Sequence, residues 1–215
     1  MSRGLGDVYK RQASNPGHCL YCGIVDPAKA DAVAERLLAP DMFCGWGVRT
    51  LSSECPAYNP MSYHNGSVWP HDNAIIAAGL KRYGRQEAVL KIADCLFEVA
   101  SAASDWRLPE LYCGFDRSER STVVAYPVAC IPQAWAAASP FLILQALLGL
   151  SANAPARSLT IERPALPDWL RDVRLERLRV GDASVTLDFQ REGAATGFTL
   201  AEQTGQLNVT MAAGR

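Results

Sequence analysis

The stretch WPHDNAIIAAGLKRYGRQEAVLKIADCLFEVASA, residues 69–102, decides how the chain is read. Pro70 suits the first position of a helix, where its missing N–H is not needed, and Ile75, Ile76, Ala78 and Leu80 supply apolar bulk until Gly84, a residue fitted to end a helix. Val89, Ile92, Ala93, Leu96 and Val99 then form one apolar stripe over 85–103. Two amphipathic helices joined through a single glycine make a helical hairpin.

Working outward, Asp26-Pro27 sets an N-cap before a proline, and Ala30, Val33, Ala34, Leu37 and Leu38 recur at helical spacing, so the spacing predicts a helix over 27–38. Between it and the hairpin lies a long segment, 40–68, rich in Gly, Ser, Pro and aromatics, of the kind that lines sites. A second irregular stretch, 104–129, leads to a fourth helix over 132–150. After Ala152 the period changes to two, with Leu159 and Ile161, Val173 and Leu175, and Val185, Leu187 and Phe189 alternating between turn residues, and with further candidate strands at Phe198–Leu200 and Leu207–Met211. No internal repeat of fixed period is visible.

With 215 residues, 49% apolar content and a formal charge of −1, the chain is long enough to bury a core and lacks the basic excess of a nucleic-acid or anionic-membrane binder. The longest apolar run, 134–150, is broken by Ser139-Pro140 and contains Gln145, so no transmembrane helix is expected. Seven cysteines without a secretory leader fit reduced thiols and a cytoplasmic setting. Cys19 and Cys22 form one CxxC, half of a zinc site, and Cys44, Cys55, Cys95, Cys113 and Cys130 offer no second pair at ligand spacing; no metal or cofactor is expected. The opening MSRGLGDVYKRQ, residues 1–12, resembles the scar left at a broken end of assembled environmental reads and is expected to be a non-native or disordered leader, the chain then starting inside a gene.

The densest polar-aromatic cluster is Tyr58-Asn59-Pro60-Met61-Ser62-Tyr63-His64-Asn65-Gly66-Ser67-Val68-Trp69-Pro70-His71-Asp72-Asn73. Aromatic rings stack on the C–H faces of sugars while amides, hydroxyls and imidazoles bracket their hydroxyl groups, so the run suits a neutral glycan. A plainer reading leaves His71 and Asp72 merely complementing the dipole of the helix they open. Glu110, within Leu108-Pro109-Glu110-Leu111-Tyr112-Cys113-Gly114-Phe115, is a carboxylate among apolar neighbours, a setting that tunes a general acid or base; Asp105, Asp116 and Glu119 are rivals.

The order Gly17-His18-Cys19-Leu20, Phe43-Cys44-Gly45-Trp46-Gly47-Val48-Arg49-Thr50, the Tyr58–Asn73 run, Pro109-Glu110-Leu111-Tyr112-Cys113-Gly114 and Pro132-Gln133-Ala134-Trp135 resembles the C-terminal half of the amylo-α-1,6-glucosidase, or glycogen debranching, family over nearly all of 13–150. That family is related to trehalases, glucoamylases and mannosylglycerate hydrolase. The resemblance implies a mainly α fold, the C-terminal part of an (α/α)6 toroid over 13–151, followed by a small antiparallel β region over 152–215. It further implies that Glu110 is the general base of an inverting hydrolase, and that Trp46, Arg49, Tyr63, His64, Asn65, Trp69, His71 and Asp72 bind the sugar. Inversion needs two carboxyl groups roughly 6.5–9.5 Å apart. The partner acid is implied to lie upstream of this chain, leaving a fragment nearly inactive by itself, and the substrate class is an α-glucan or small glycoside. The alternatives are a non-catalytic carbohydrate-binding or scaffold protein and a metal-dependent cyclase, the latter requiring a His/Cys/Asp ligand set that the sequence does not present.

Overall fold

The computed structural model describes residues 12–212. The leader expected over residues 1–12 lies, apart from Gln12, outside the described residues. The chain divides into two compact units, one ending at Ile143 and one beginning at Leu144.

The first unit begins with helix α1 (Pro16–Cys22) and helix α2 (Pro27–Leu37). The carboxylate of Asp26 accepts a hydrogen bond from Ala28 N at 3.0 Å, a cap typically worth about 1 kcal/mol. Helix α3 (Pro70–Arg82) and helix α4 (Gln86–Ala102) form the expected hairpin, with Gly84 in the left-handed region at φ 76° between them. Helix α1 packs on α2 and on α3, and α3 packs on α4. The α1–α3 contact is backbone against backbone: a Cβ on Gly79 would stand 2.6 Å from Tyr21 N and 2.8 Å from Gly17 O. Leu20, Leu37, Ile76, Leu80 and Ile92 are fully or almost fully buried.

The two long loops are organised by single-residue bridges that no run of strand-forming residues announces. Arg49 pairs with Val68, Val68 with Tyr112, and Tyr112 with Ala125, all antiparallel. Val68 N donates to Tyr112 O at 2.9 Å and Tyr112 N returns to Val68 O at 3.0 Å. Four loop segments are thereby laid side by side, which places Trp69 next to the Glu110 segment.

Helix α5 (Ala134–Leu148) carries the chain from the first unit into the second. The second unit contains strands β1 (Leu150–Asn153), β2 (Ser158–Glu162), β3 (Asp172–Val180), β4 (Ala183–Glu192), β5 (Ala195–Thr204) and β6 (Asn208–Ala212). They form two sheets of order β1-β2-β6 and β3-β4-β5. Leu159, Ile161, Val185, Leu187 and Phe189 point into its core, in keeping with their alternation.

The expectation of a mainly α chain forming part of an (α/α)6 toroid is overturned. The described residues hold five helices and six strands, and the helices of the first unit pack as three neighbouring pairs. The physical reason is that the period-two segments after Gly149 pair into two full sheets with their own core, and that extended bridges, rather than helix-to-helix contacts, order the long loops. The β region is not wholly antiparallel either: β2 and β6 run parallel, Leu159 opposite Val209 and Ile161 opposite Met211. No helix among the described residues is long and apolar enough to cross a membrane.

Candidate functional site

A cleft of about 350 Å³ opens in the first unit between α1, the loop before α3, the first turn of α3 and the start of α5, lined by Ser14, Asn15, His18, Thr50, His64, Trp69, His71, Asp72 and Trp135. Its aromatic wall is built by mutual packing. His71 stacks on Trp135 with ring centroids 4.5 Å apart and planes inclined by 15°, and meets Trp69 edge-on at 5.5 Å. The Trp69 indole N–H donates to Tyr63 O at 3.1 Å and to Ser67 Oγ at 3.0 Å, which fixes the ring's orientation. Trp135 is 47% exposed, so one indole surface is held against His71 while much of the side chain stays accessible.

Glu110 is 6% exposed, with Leu108 and Leu111 beside it buried. Its Oε1 accepts from the Tyr63 hydroxyl at 2.6 Å and its Oε2 from Cys130 N at 3.1 Å. Tyr63 in turn meets Trp69 edge-on at 4.7 Å and Tyr126 at 5.7 Å. Thus Glu110 is not on the cleft wall itself; one tyrosine ring links it to that wall. Desolvation, expected from the apolar neighbours to tune this carboxyl, is not the dominant influence on it. The bond from the Tyr63 hydroxyl, followed by that from Cys130 N, outweighs burial and holds Glu110 below the usual carboxylate range. The same bond pushes the Tyr63 phenol up to about 12, so it stays protonated as a donor. A carboxylate kept ionised at neutral pH suits a base and not an acid.

The sign of that coupling gives a direct check. Because the native value of Glu110 is depressed, its stabilising bonds are present above the ordinary carboxylate range and are lost as pH falls through the native value. Tyr63→Phe removes the largest cause, so the Glu110 titration, followed by the ¹³C shift of its carboxyl carbon, is expected to move to higher pH. An unmoved titration would remove Tyr63 from the account.

Also on the cleft, His18 Nε2, on α1, contacts Asp72 Oδ1, on α3. The bond to Asp72 raises His18 above the ordinary imidazole value against the effect of burial, whereas burial lowers His71 and leaves it neutral at neutral pH. Asp72 Oδ2 and His71 Nδ1 are buried without a hydrogen-bond partner.

The residues read from the sequence as sugar-binding separate into groups. His64, Trp69, His71 and Asp72 line the cleft, and Tyr63 bridges to Glu110. Asn65 is exposed, its N donating to Ser62 Oγ at 3.3 Å. Trp46 lies in an apolar cluster with Val68, Val99 and Tyr112, under the Arg117 guanidinium at 4.3 Å. Arg49, 3% exposed, staples loops: its Nε donates to Gly114 O at 2.8 Å, its Nη1 to Pro40 O and Asp41 O at 3.1 Å, and its Nη2 meets Asp116 Oδ2 at 3.4 Å. The rival carboxylates stand elsewhere: Asp116 faces Arg49 and Ser118, while Asp105 and Glu119 are exposed. Cleft residues absent from the sequence-predicted set are Ser14, Asn15, His18, Thr50 and Trp135. Of these, His18, Thr50 and Trp135 stand inside the motifs quoted above, and the others carry no signal of their own.

All seven cysteines are free, with Cys44, Cys95 and Cys113 buried. Among the described residues no group of three or more His, Cys, Asp or Glu side chains is arranged to hold a metal ion.

Comparison with known proteins bears on this site. No curated protein matches the chain. A solved structure described as an uncharacterized conserved protein from Thermus thermophilus is similar at 14% identity and a TM-score of 0.48, over 62% of this chain and 30% of that one. The chain therefore spans less than a third of the length of that protein. Residues 17–116, a span containing His18, Trp69, His71, Asp72 and Glu110, match the model of the mannosylglycerate hydrolase MGH1-like glycoside hydrolase domain, which supports a glycosidase-type segment without singling out the amylo-α-1,6-glucosidases.

Proposed function

We propose that the first unit carries the saccharide-binding cleft and the general base of an inverting glycoside hydrolase acting on α-glucosidic linkages of a glucan or small glycoside. The observation that carries this reading is the buried Glu110 carboxylate, held by the Tyr63 and Cys130 hydrogen bonds and joined through Tyr63 to a wall of His64, Trp69, His71 and Trp135. In the reaction, a water molecule loses its proton to Glu110 as its oxygen bonds to the anomeric carbon, and the glycosidic C–O bond breaks on the opposite face. The departing oxygen needs a proton from a second carboxyl group. Asp72 is the one carboxylate among the described residues that lines the cleft, and it is engaged by His18, so the reading assigns the general acid to no described residue.

One observation favours a second reading, saccharide binding without hydrolysis: Glu110 is not among the residues that line the cleft. The two readings share a binding test and part on turnover. Trp135 offers an accessible indole stacked on His71, and such aromatic contacts contribute about 0.5–1.5 kcal/mol, so Trp135→Ala is expected to weaken maltose binding about three- to tenfold by titration calorimetry. Unaltered affinity would take the saccharide off this wall.

A further inference from the structure

All three histidines of the chain stand on the wall of one cleft, yet they are held in different ways. His64 lies over Trp69 at 6.3 Å, and His71 is stacked on Trp135. His18 alone comes from α1, and it engages Asp72. Asp72 is 6% exposed; its Oδ1 meets His18 while its Oδ2 is buried without a hydrogen-bond partner. A buried carboxylate bonded through one oxygen depends heavily on that bond, because removing the partner leaves an uncompensated charge. The contact is also mechanically fixed. Gly17, the residue before His18, leaves no room for a side chain against Ile76 of α3, where a Cβ would sit 2.4 Å from Cγ1.

We infer that His18 is a positioning residue of the cleft: as an imidazolium it pins Asp72, and with it the first turn of α3 that carries His71, on the cleft wall, and ligand affinity falls when that imidazolium loses its proton. This rests on the reading that the cleft takes a saccharide. The groups around His18 are few. Helix α3 brings Asp72 and His71, the loop before it brings His64 to the same cleft, and Arg82 at the other end of α3 is bonded to Tyr21 O. Helix α2 carries Lys29, Asp31, Glu35 and Arg36, of which Asp31 pairs with Arg85 and Arg36 with Asp41. The charge that acts on His18 is that of Asp72. Because His18 titrates above the ordinary imidazole range, the pairing is complete below that range and is lost as pH rises through the raised value. Its limb is therefore a basic one, opposite in sense to the acid limb of Glu110.

The test uses the full 215-residue chain with maltose as probe, binding being followed by tryptophan fluorescence from about pH 5 to about pH 9. Wild type is expected to bind about fivefold more weakly at the basic end, a modest value for a charge-assisted bond whose imidazole is partly solvated. His18→Gln, which cannot change charge, is expected to show the weaker affinity throughout and no such limb. A basic limb that persists in His18→Gln overturns the inference. A parallel ¹H NMR titration of the imidazoles needs no ligand: in Asp72→Asn the His18 titration is expected to fall towards the ordinary value, and an unmoved one overturns the inference. Absence of maltose binding at every pH, with the Asp72→Asn shift present, overturns the saccharide reading and with it the assigned role in ligand affinity, while an intact pH-independent affinity in wild type overturns the role of His18 alone.

Discussion

Glu110→Gln is expected to lower turnover about 10²–10⁴-fold while leaving saccharide affinity near the wild-type value, since a lost general base is typically worth that much. The substitution keeps the side-chain volume, and the Tyr63 hydroxyl can still donate to the remaining carbonyl oxygen. What disappears is the ability to take a proton from water. With that oxygen on Tyr63, the new amide NH2 faces the Cys130 N–H, which can only donate, so one of the two bonds that hold the carboxylate is lost. Steady-state rates on a glucoside whose leaving group needs no proton and calorimetric affinities, measured on the same preparations, separate the two effects. A fall in affinity with an unchanged rate would show Glu110 to be a binding group.

The largest structural effect is expected at Gly114. A Cβ there would stand 1.8 Å from the Gly66 carbonyl oxygen, a backbone atom that cannot swing aside. The neighbourhood is already fixed: Gly114 N donates to Pro60 O at 2.9 Å, and Gly114 O accepts from Arg49 Nε at 2.8 Å and the Tyr58 hydroxyl at 3.1 Å. Gly114→Ala is therefore expected to cost about 3 kcal/mol or more, at or beyond the upper end of ordinary overpacking, and to separate the loop of Glu110 from that of Trp69. Thermal unfolding reads the first consequence and maltose binding the second. Gly197→Ala, where a Cβ meets nothing within 4 Å, is the control and should be close to neutral.

What the sequence makes legible depends on how local each determinant is. The cap at Asp26 and the stop at Gly84 bracket their helices, and α2, α3 and α4 fall close to the spans that spacing predicts. Helix α1 escapes notice because Pro16–Cys22 is too short to display a period, and β1 because four residues with one half-buried side chain carry no alternation. The parallel pairing of β2 with β6 joins segments almost fifty residues apart and has no local signature. The toroid implied by the resemblance fails on the same ground: the helices are legible one by one, but nothing in their spacing tells whether they close a ring, and the weight of the β region lies in long-range pairing.

The site follows the same division. The Tyr58–Asn73 run is conspicuous by composition, yet in irregular backbone no periodicity tells which way a side chain points. So Tyr63 turns to Glu110, His64 and Trp69 reach the cleft, and Asn65 is exposed, all within seven residues. Arg49 and Trp46 are implied as sugar contacts by the family resemblance, and no local pattern of their own points to that role. Their burial makes them the staple and the core that hold the loops in place. The His18–Asp72 contact spans 54 positions and becomes visible only when α1 and α3 are brought together.

The account turns on Glu110 acting as a base, and an activated aryl glucoside tests this most directly, because a dinitrophenolate leaves without a proton and removes any need for the second carboxyl group. Release of dinitrophenolate from a 2,4-dinitrophenyl α-glucoside should be measurable with the chain as it stands and should fall by about two orders of magnitude or more in Glu110→Gln. Equal rates for the two proteins would contradict it.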